Sequence, residues 1–186
     1  ALDRAAFGAG LWLRRFQQFE RTPAGGAALD RILAQIHFLL DRHSDAWSET
    51  AASRIRERAE SLHASLGRTA REAVAHHGDF WPGNVFSLNG DVDVIDFEGY
   101  RLGLAAADIA YFQLHSGLYF QPARNRDVLA RLDRAFTDGY GGEIDGDELA
   151  LYRIACALAM LHDHPHDFGA VQTVLRRRYL RRELFR

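Results

Sequence analysis

The pair Asn89-Gly90 separates two short runs, Asn84-Val-Phe-Ser-Leu88 and Asp91-Val-Asp-Val-Ile-Asp96, in which β-branched and apolar residues alternate with polar ones. Both residues of the pair tolerate the positive φ that a type I′ turn demands, so the segment predicts a tight β-hairpin. Such a turn pairs Leu88 with Asp91 and sets Asn84 opposite Ile95. Asn84 and Asp96 then meet at the open end of the ribbon.

Around this β island the chain reads as helix. Leu11, Leu13, Phe16 and Phe19 predict a helix over 9–20, and Leu29, Ile32, Leu33, Ile36, Leu39 and Leu40 one over 27–42, with Thr22-Pro-Ala-Gly-Gly26 as the loop between them. A third helix is expected over 48–66, with Ser48 as its N-cap and Gly67 as its stop. Helical texture resumes at 104–120, 125–140, 147–162 and about 168–183. The expectation is an α+β, predominantly α-helical, single domain over 1–186 that holds a small hairpin among its helices.

Composition narrows the chemistry. All 23 basic residues are arginine, which excludes a lysine Schiff base, a P-loop lysine and any side-chain amine nucleophile. The single Cys156 allows no internal disulfide and no CxxC zinc site, and reads as a small buried hydrophobe. A formal charge of −2 argues against a general nucleic-acid binder. Asp108 interrupts the longest apolar stretch, 102–120, so no membrane span is expected. A cytoplasmic location is the default that remains.

Three side chains cluster at the ends of the hairpin. Asp79 lies five residues before Asn84, on a short loop with Pro82 and Gly83, and Asp96 lies twelve after it. An amide oxygen and a carboxylate at a hairpin mouth suit Mg²⁺, which takes hard oxygen ligands, usually only one or two of them from the protein. A separate aspartate is then free to accept the proton of a hydroxyl acceptor and orient it for in-line attack on a phosphoryl group.

The segment His77-Gly-Asp-Phe-Trp-Pro-Gly-Asn84, followed by Val94-Ile-Asp-Phe-Glu98, resembles the catalytic motif of the aminoglycoside phosphotransferase family, which is similar to protein kinases. The resemblance implies Asp79 as catalytic base, Asn84 as one Mg²⁺ ligand and Asp96 as the ligand bridging ATP phosphates. It further implies a structural Asp108, in Asp108-Ile-Ala, that buttresses the catalytic loop, and a structural His77. Gly10-Leu-Trp-Leu-Arg-Arg-Phe16 is similar to the family's first helix after the hinge between lobes. The chain departs from the protein-kinase pattern in Gly78, which replaces an arginine, in Glu98, which replaces the glycine of D-F-G, and in lacking an A-P-E segment. These departures suit a small-molecule kinase without an activation loop. Residues 1–75 hold no glycine-rich strand-loop-strand, so the resemblance is to the C-terminal lobe, with an N-terminal nucleotide-clamping lobe expected upstream.

Other clusters carry weaker signals. Glu143, Asp145, Asp147 and Asp163 fall in an acidic stretch, 138–167, that would suit a cationic acceptor; equally, Asp145 or Asp147 would cap the following helix. His162-Asp-His-Pro-His-Asp167 reads as a solvated turn rather than a metal site, the arginines of 176–186 as part of a terminal amphipathic helix on which they lie along an acidic body, and His76 as a surface residue. The expected function is transfer of the ATP γ-phosphoryl group to a hydroxyl of a small molecule, aminoglycoside-like or other. The alternatives are an acceptor of the homoserine, choline or methylthioribose type, or a catalytically silent kinase-like binding module.

Overall fold

The computed structural model describes residues 1–24, 26–67, 71–88, 91–120, 126–163 and 170–185. Its α-helices are α1 (Leu2–Phe16), α2 (Ala27–Arg42), α3 (Glu49–Leu66), α4 (Ala106–Phe120), α5 (Arg126–Tyr140), α6 (Gly146–Asp163) and α7 (Ala170–Glu183). The strands are β1 (Arg21–Ala24), β2 (Arg71–His76), β3 (Val85–Leu88), β4 (Asp91–Val94) and β5 (Arg101–Gly103). The fold is predominantly helical, as its periodicity predicts.

The hairpin forms in the expected register. β3 and β4 pair antiparallel from Leu88↔Asp91 back to Val85↔Val94, and the Ile95 amide donates to the Asn84 carbonyl at 3.1 Å. The Asn89-Gly90 turn itself lies outside the described residues.

A second sheet corrects the single-island reading. β1, β2 and β5 form an antiparallel sheet in which β2 is central, with Arg21 opposite Val74 on one side and Val74 opposite Gly103 on the other. The segment expected as a loop, 22–26, thus begins as an edge strand. Pro23 is tolerated there because an edge strand need not donate every N–H to the ladder.

α1 starts at Leu2 rather than near residue 9 and ends at Phe16. Its buried face consists of Leu13 and of Ala6, Ala9 and Gly10, three small residues that leave little apolar periodicity to read in its first half. The reason is close helix packing: a Cβ on Gly10 would stand 2.1 Å from the Phe136 carbonyl oxygen of α5, and one on Gly139 would stand 1.9 Å from that of Phe7. Ser48 caps α3 as expected, its hydroxyl accepting the Ala51 N–H at 3.2 Å. Gly67 ends that helix with φ −61°, so it serves as a stop without using a left-handed backbone.

Two apolar cores meet along α4, which is apolar almost all round and therefore central. One gathers Ile36, Leu40, Ile55, Leu114, Ile154 and Leu158 from α2, α3, α4 and α6. The other gathers Leu13, Phe80, Ile109, Phe112 and Phe136 from α1, α4, α5 and the loop after β2. Phe80 is fully buried, so the loop that carries Asp79 is pinned by its own next residue. α7 docks through Tyr179 and Leu180, and the Arg181 guanidinium covers Trp47. No described helix is long and apolar enough to cross a membrane.

Candidate active site

The loop 77–84 joins β2 to β3, and its shape follows from hydrogen bonds that the sequence places at fixed offsets. Asp108, in the first turn of α4 and 1 % exposed, accepts the His77 N–H at 2.8 Å through Oδ2 and the Gly78 N–H at 3.0 Å through Oδ1. A buried carboxylate bound by two backbone donors is satisfied and fixes the loop against the helix.

Gly78 has φ +85°, and a Cβ there would stand 2.1 Å from the Gly99 carbonyl oxygen. The residue is therefore glycine because the loop before Asp79 and the loop after Asp96 touch backbone to backbone. An arginine, as protein kinases have here, would not fit this approach.

His77 is fully buried. Its Nδ1 accepts the Asp79 N–H at 3.3 Å, which leaves Nε2 to donate to the Ile95 carbonyl at 3.1 Å. These two contacts select one neutral tautomer. Burial lowers the His77 pKa from 6.5, against the opposing pull of Asp108, Asp79 and Asp96.

Asn84, 7 % exposed, donates its side-chain N–H groups to the Asp79 carbonyl at 3.0 Å and to Asp79 Oδ2 at 2.9 Å. With the amide nitrogen committed, Asn84 Oδ1 remains as an oxygen donor. Asp96 follows the ladder contact between Ile95 and Asn84, is exposed, and has φ +68°, the left-handed region that L-residues enter at a cost. Asp79, Asn84 and Asp96 thus stand around the root of the β3–β4 ribbon, with His77 behind them.

The acidic stretch sits elsewhere. Asp145 caps α6, its Oδ1 accepting the Asp147 and Glu148 N–H groups at 3.0 and 3.1 Å, and its Oδ2 pairs with Arg71 at 3.0 Å. Asp147 accepts the Ser65 hydroxyl at 2.8 Å. Arg71 opens β2, whereas Asp79 follows its other end, so the structure does not bring Asp145 and Asp147 into the group around Asp79. Glu143 is exposed in the turn before α6, and Asp163 ends that helix. In the histidine cluster, His162 stacks on His43 with ring centroids 3.4 Å apart, and residues 164–167 lie outside the described residues.

Two residues escaped the sequence reading. His76 is buried rather than on the surface, with Nε2 at 2.9 Å from Asp108 Oδ1. Its position as the last residue of β2 was the missing signal. Trp81 packs its ring against Tyr119 at 5.7 Å and over Gly83, which places an aromatic wall two residues from Asp79.

The sequence model of the phosphotransferase enzyme family matches residues 1–152. The chain belongs to that family. None of the curated proteins matches it. Among solved structures, a glucosamine kinase superposes with a TM-score of 0.70 at 19% identity, over 97% of this chain and 51% of its own length. The amicoumacin kinase hAmiN, solved with AMP-PNP, Ca²⁺ and Ami, superposes at 0.58 and 14% identity over 99% of this chain and 58% of its own. A choline/ethanolamine kinase family protein from Mesorhizobium loti gives 0.59 and 16% identity over 97% and 65%. This phosphotransferase family chain therefore has the protein-kinase-like fold of these enzymes and spans about half the length of the glucosamine kinase.

Proposed function

We propose that this chain is the catalytic lobe of an ATP-dependent small-molecule kinase, moving the γ-phosphoryl group to an acceptor hydroxyl. The observation that carries the reading is the Asn84 amide bound to Asp79 Oδ2 at the root of a ribbon that also presents Asp96. One oxygen of the Asp79 carboxylate is held by that bond, and the other is left to accept the acceptor's proton. As the acceptor oxygen bonds to the γ-phosphorus and the bond to the departing ADP oxygen breaks, Asp79 takes the hydroxyl proton.

The oxygen donors present fit a divalent cation. Asn84 Oδ1 and the exposed Asp96 carboxylate form a hard, all-oxygen pair of the kind Mg²⁺ uses, and they would hold it. When bound, such an ion neutralises phosphate charge. The protein's part is positioning: Asp108 and His77 fix the loop, and Phe80 anchors it in the core. Trp81 and the half-exposed Tyr119 offer the acceptor an apolar flank beside Asp79. We place the nucleotide-clamping lobe over the exposed apolar residues Phe86, Leu88, Ile95, Phe97 and Tyr100 that surround the ribbon.

The test uses the full-length protein. ADP release that requires both Mg²⁺ and an acceptor alcohol, and that falls by about 10²–10⁴-fold in Asp79→Asn, is expected. Near-normal turnover in Asp79→Asn, or failure of every alcohol tried to raise ADP release above the background rate, would overturn the reading.

A further inference from the structure

α7 lies beyond the stretch that the family model matches, and the phosphotransfer reading uses none of its residues. Its inner face is committed to the body. Tyr179 and Leu180, with Leu184 just after the helix, are buried, and its one carboxylate, Glu183, is buried and bound to Arg153 of α6. The outer face carries Val174, Arg177, Arg178, Arg181 and Arg182, continued by Phe185 in the turn that follows, and all six are exposed. These positions follow the i, i+3, i+4, i+7, i+8, i+11 spacing of a single helical stripe. It is about 16 Å long.

The sequence places these arginines along an acidic body; the structure does not. Arg177, Arg178, Arg181 and Arg182 form no ion pair among the described residues. Arg181 donates to the neutral Ala46 carbonyl at 3.3 Å and covers Trp47. A fifth guanidinium joins from α3: the exposed Arg54 lies over the Phe185 ring, 5.1 Å from its centroid, and has no carboxylate partner among the described residues either. Five like charges thus share one side of a chain whose formal charge is −2. At about 0.1 M salt, charges act over about 10 Å, so a surface brought up to this side meets the arginines rather than the net charge. Like charges held together repel one another, and an anionic partner removes that cost.

We propose that this face of α7, with Arg54, is a docking strip for an anionic phospholipid surface. A cluster of about four to eight basic residues on a helix has the charge density that holds acidic headgroups. Shape favours a membrane over a nucleic acid. α7 is fixed lengthwise on the body by its buried residues, so it cannot enter a groove, whereas its straight outer stripe meets a plane along its whole length. Lipids also move laterally to meet fixed guanidiniums, and the exposed Val174 at the head of the stripe gains from an interface in a way that a phosphate backbone does not offer. The inference is independent of the phosphotransfer reading, because it needs neither nucleotide nor Asp79.

Co-sedimentation with large vesicles at low salt tests it, using phosphatidylcholine alone and phosphatidylcholine with about 30% phosphatidylserine. The protein is expected to pellet with the anionic vesicles at about 1 mM lipid, to stay in solution with the neutral ones, and to be released by about 0.5 M salt. Arg178→Gln with Arg182→Gln should weaken binding about 20-fold or more, with an unchanged unfolding midpoint. Arg4→Gln with Arg15→Gln removes the same charge from exposed positions of α1 and should change binding less than about threefold. No pelleting at about 5 mM anionic lipid, equal pelleting with neutral vesicles, or an equal loss from the two double variants overturns the proposal. Tighter binding to duplex RNA than to anionic vesicles at matched phosphate concentration overturns it too, and assigns the strip to nucleic acid.

Discussion

Asn84 reaches back five residues to hold Asp79 twice, by its backbone carbonyl at 3.0 Å and by its carboxylate at 2.9 Å. One side chain thus orients the proposed base and leaves its own oxygen for the proposed cation. Asn84→Ala is expected to cost about 1–3 kcal/mol in urea denaturation and to abolish divalent-cation binding measured by calorimetry. Retention of both properties would show that the two roles do not meet in this residue.

Asp108 carries a larger share of the loop's stability, because it is buried and accepts two backbone donors. Asp108→Asn keeps the shape but turns an NH₂ group towards one of them. A loss of about 1.5–3 kcal/mol in the denaturation midpoint is expected, with faster amide exchange at His77 and Gly78 than elsewhere.

Acidification should unpin the same loop from the other side. The neutral His77 ring accepts the Asp79 N–H, and burial lowers its pKa below 6.5. Its folded form therefore binds fewer protons than the unfolded one, so the associated stability is present above pH 6.5 and is lost as pH falls through the lowered value. An NMR titration should place the His77 midpoint below that of an unstructured imidazole. A midpoint at or above 6.5 would contradict the buried neutral tautomer.

The backbone at Asp96 separates stability from function. With φ +68°, the position disfavours a β-branched side chain and accepts glycine. Asp96→Val should cost about 1–2 kcal/mol, whereas Asp96→Gly should leave stability within about 1 kcal/mol. Both should lose divalent-cation binding in calorimetry, and equal stability losses would argue against the left-handed backbone.

The parts legible in the sequence were those whose partners are close along the chain. The Asn89-Gly90 pair predicted the register that the described residues of β3 and β4 adopt, and the offset from Asp79 to Asn84 placed two side chains on one loop. The sheet of β1, β2 and β5 was not legible, because its strands are short, charged and paired across gaps such as Arg21 to Val74. Burial of His76 depended on that sheet, since the pairing of His76 with Arg101 turns its ring towards α4 and α6. Gln17 shows the same limit. Its side chain donates to Ala105 at 3.2 Å and accepts the Tyr140 hydroxyl at 2.7 Å, a buried junction between segments far apart in sequence. The capping role of Asp145 was one of two readings, and the partner that distinguishes them, Arg71, lies 74 residues away.

β2 is fastened at both ends: Arg71 to Asp145, the cap of α6, and to Glu148 within it, and the residues just after His76 to Asp108 of α4. Over its length of about 17 Å the chain is already extended and has no slack to give. It behaves as a short taut cord between α6 and the loop of Asp79. Any shift of the α6 N-terminus along that line therefore meets β2 and its partners β1 and β5 before it meets Gly78.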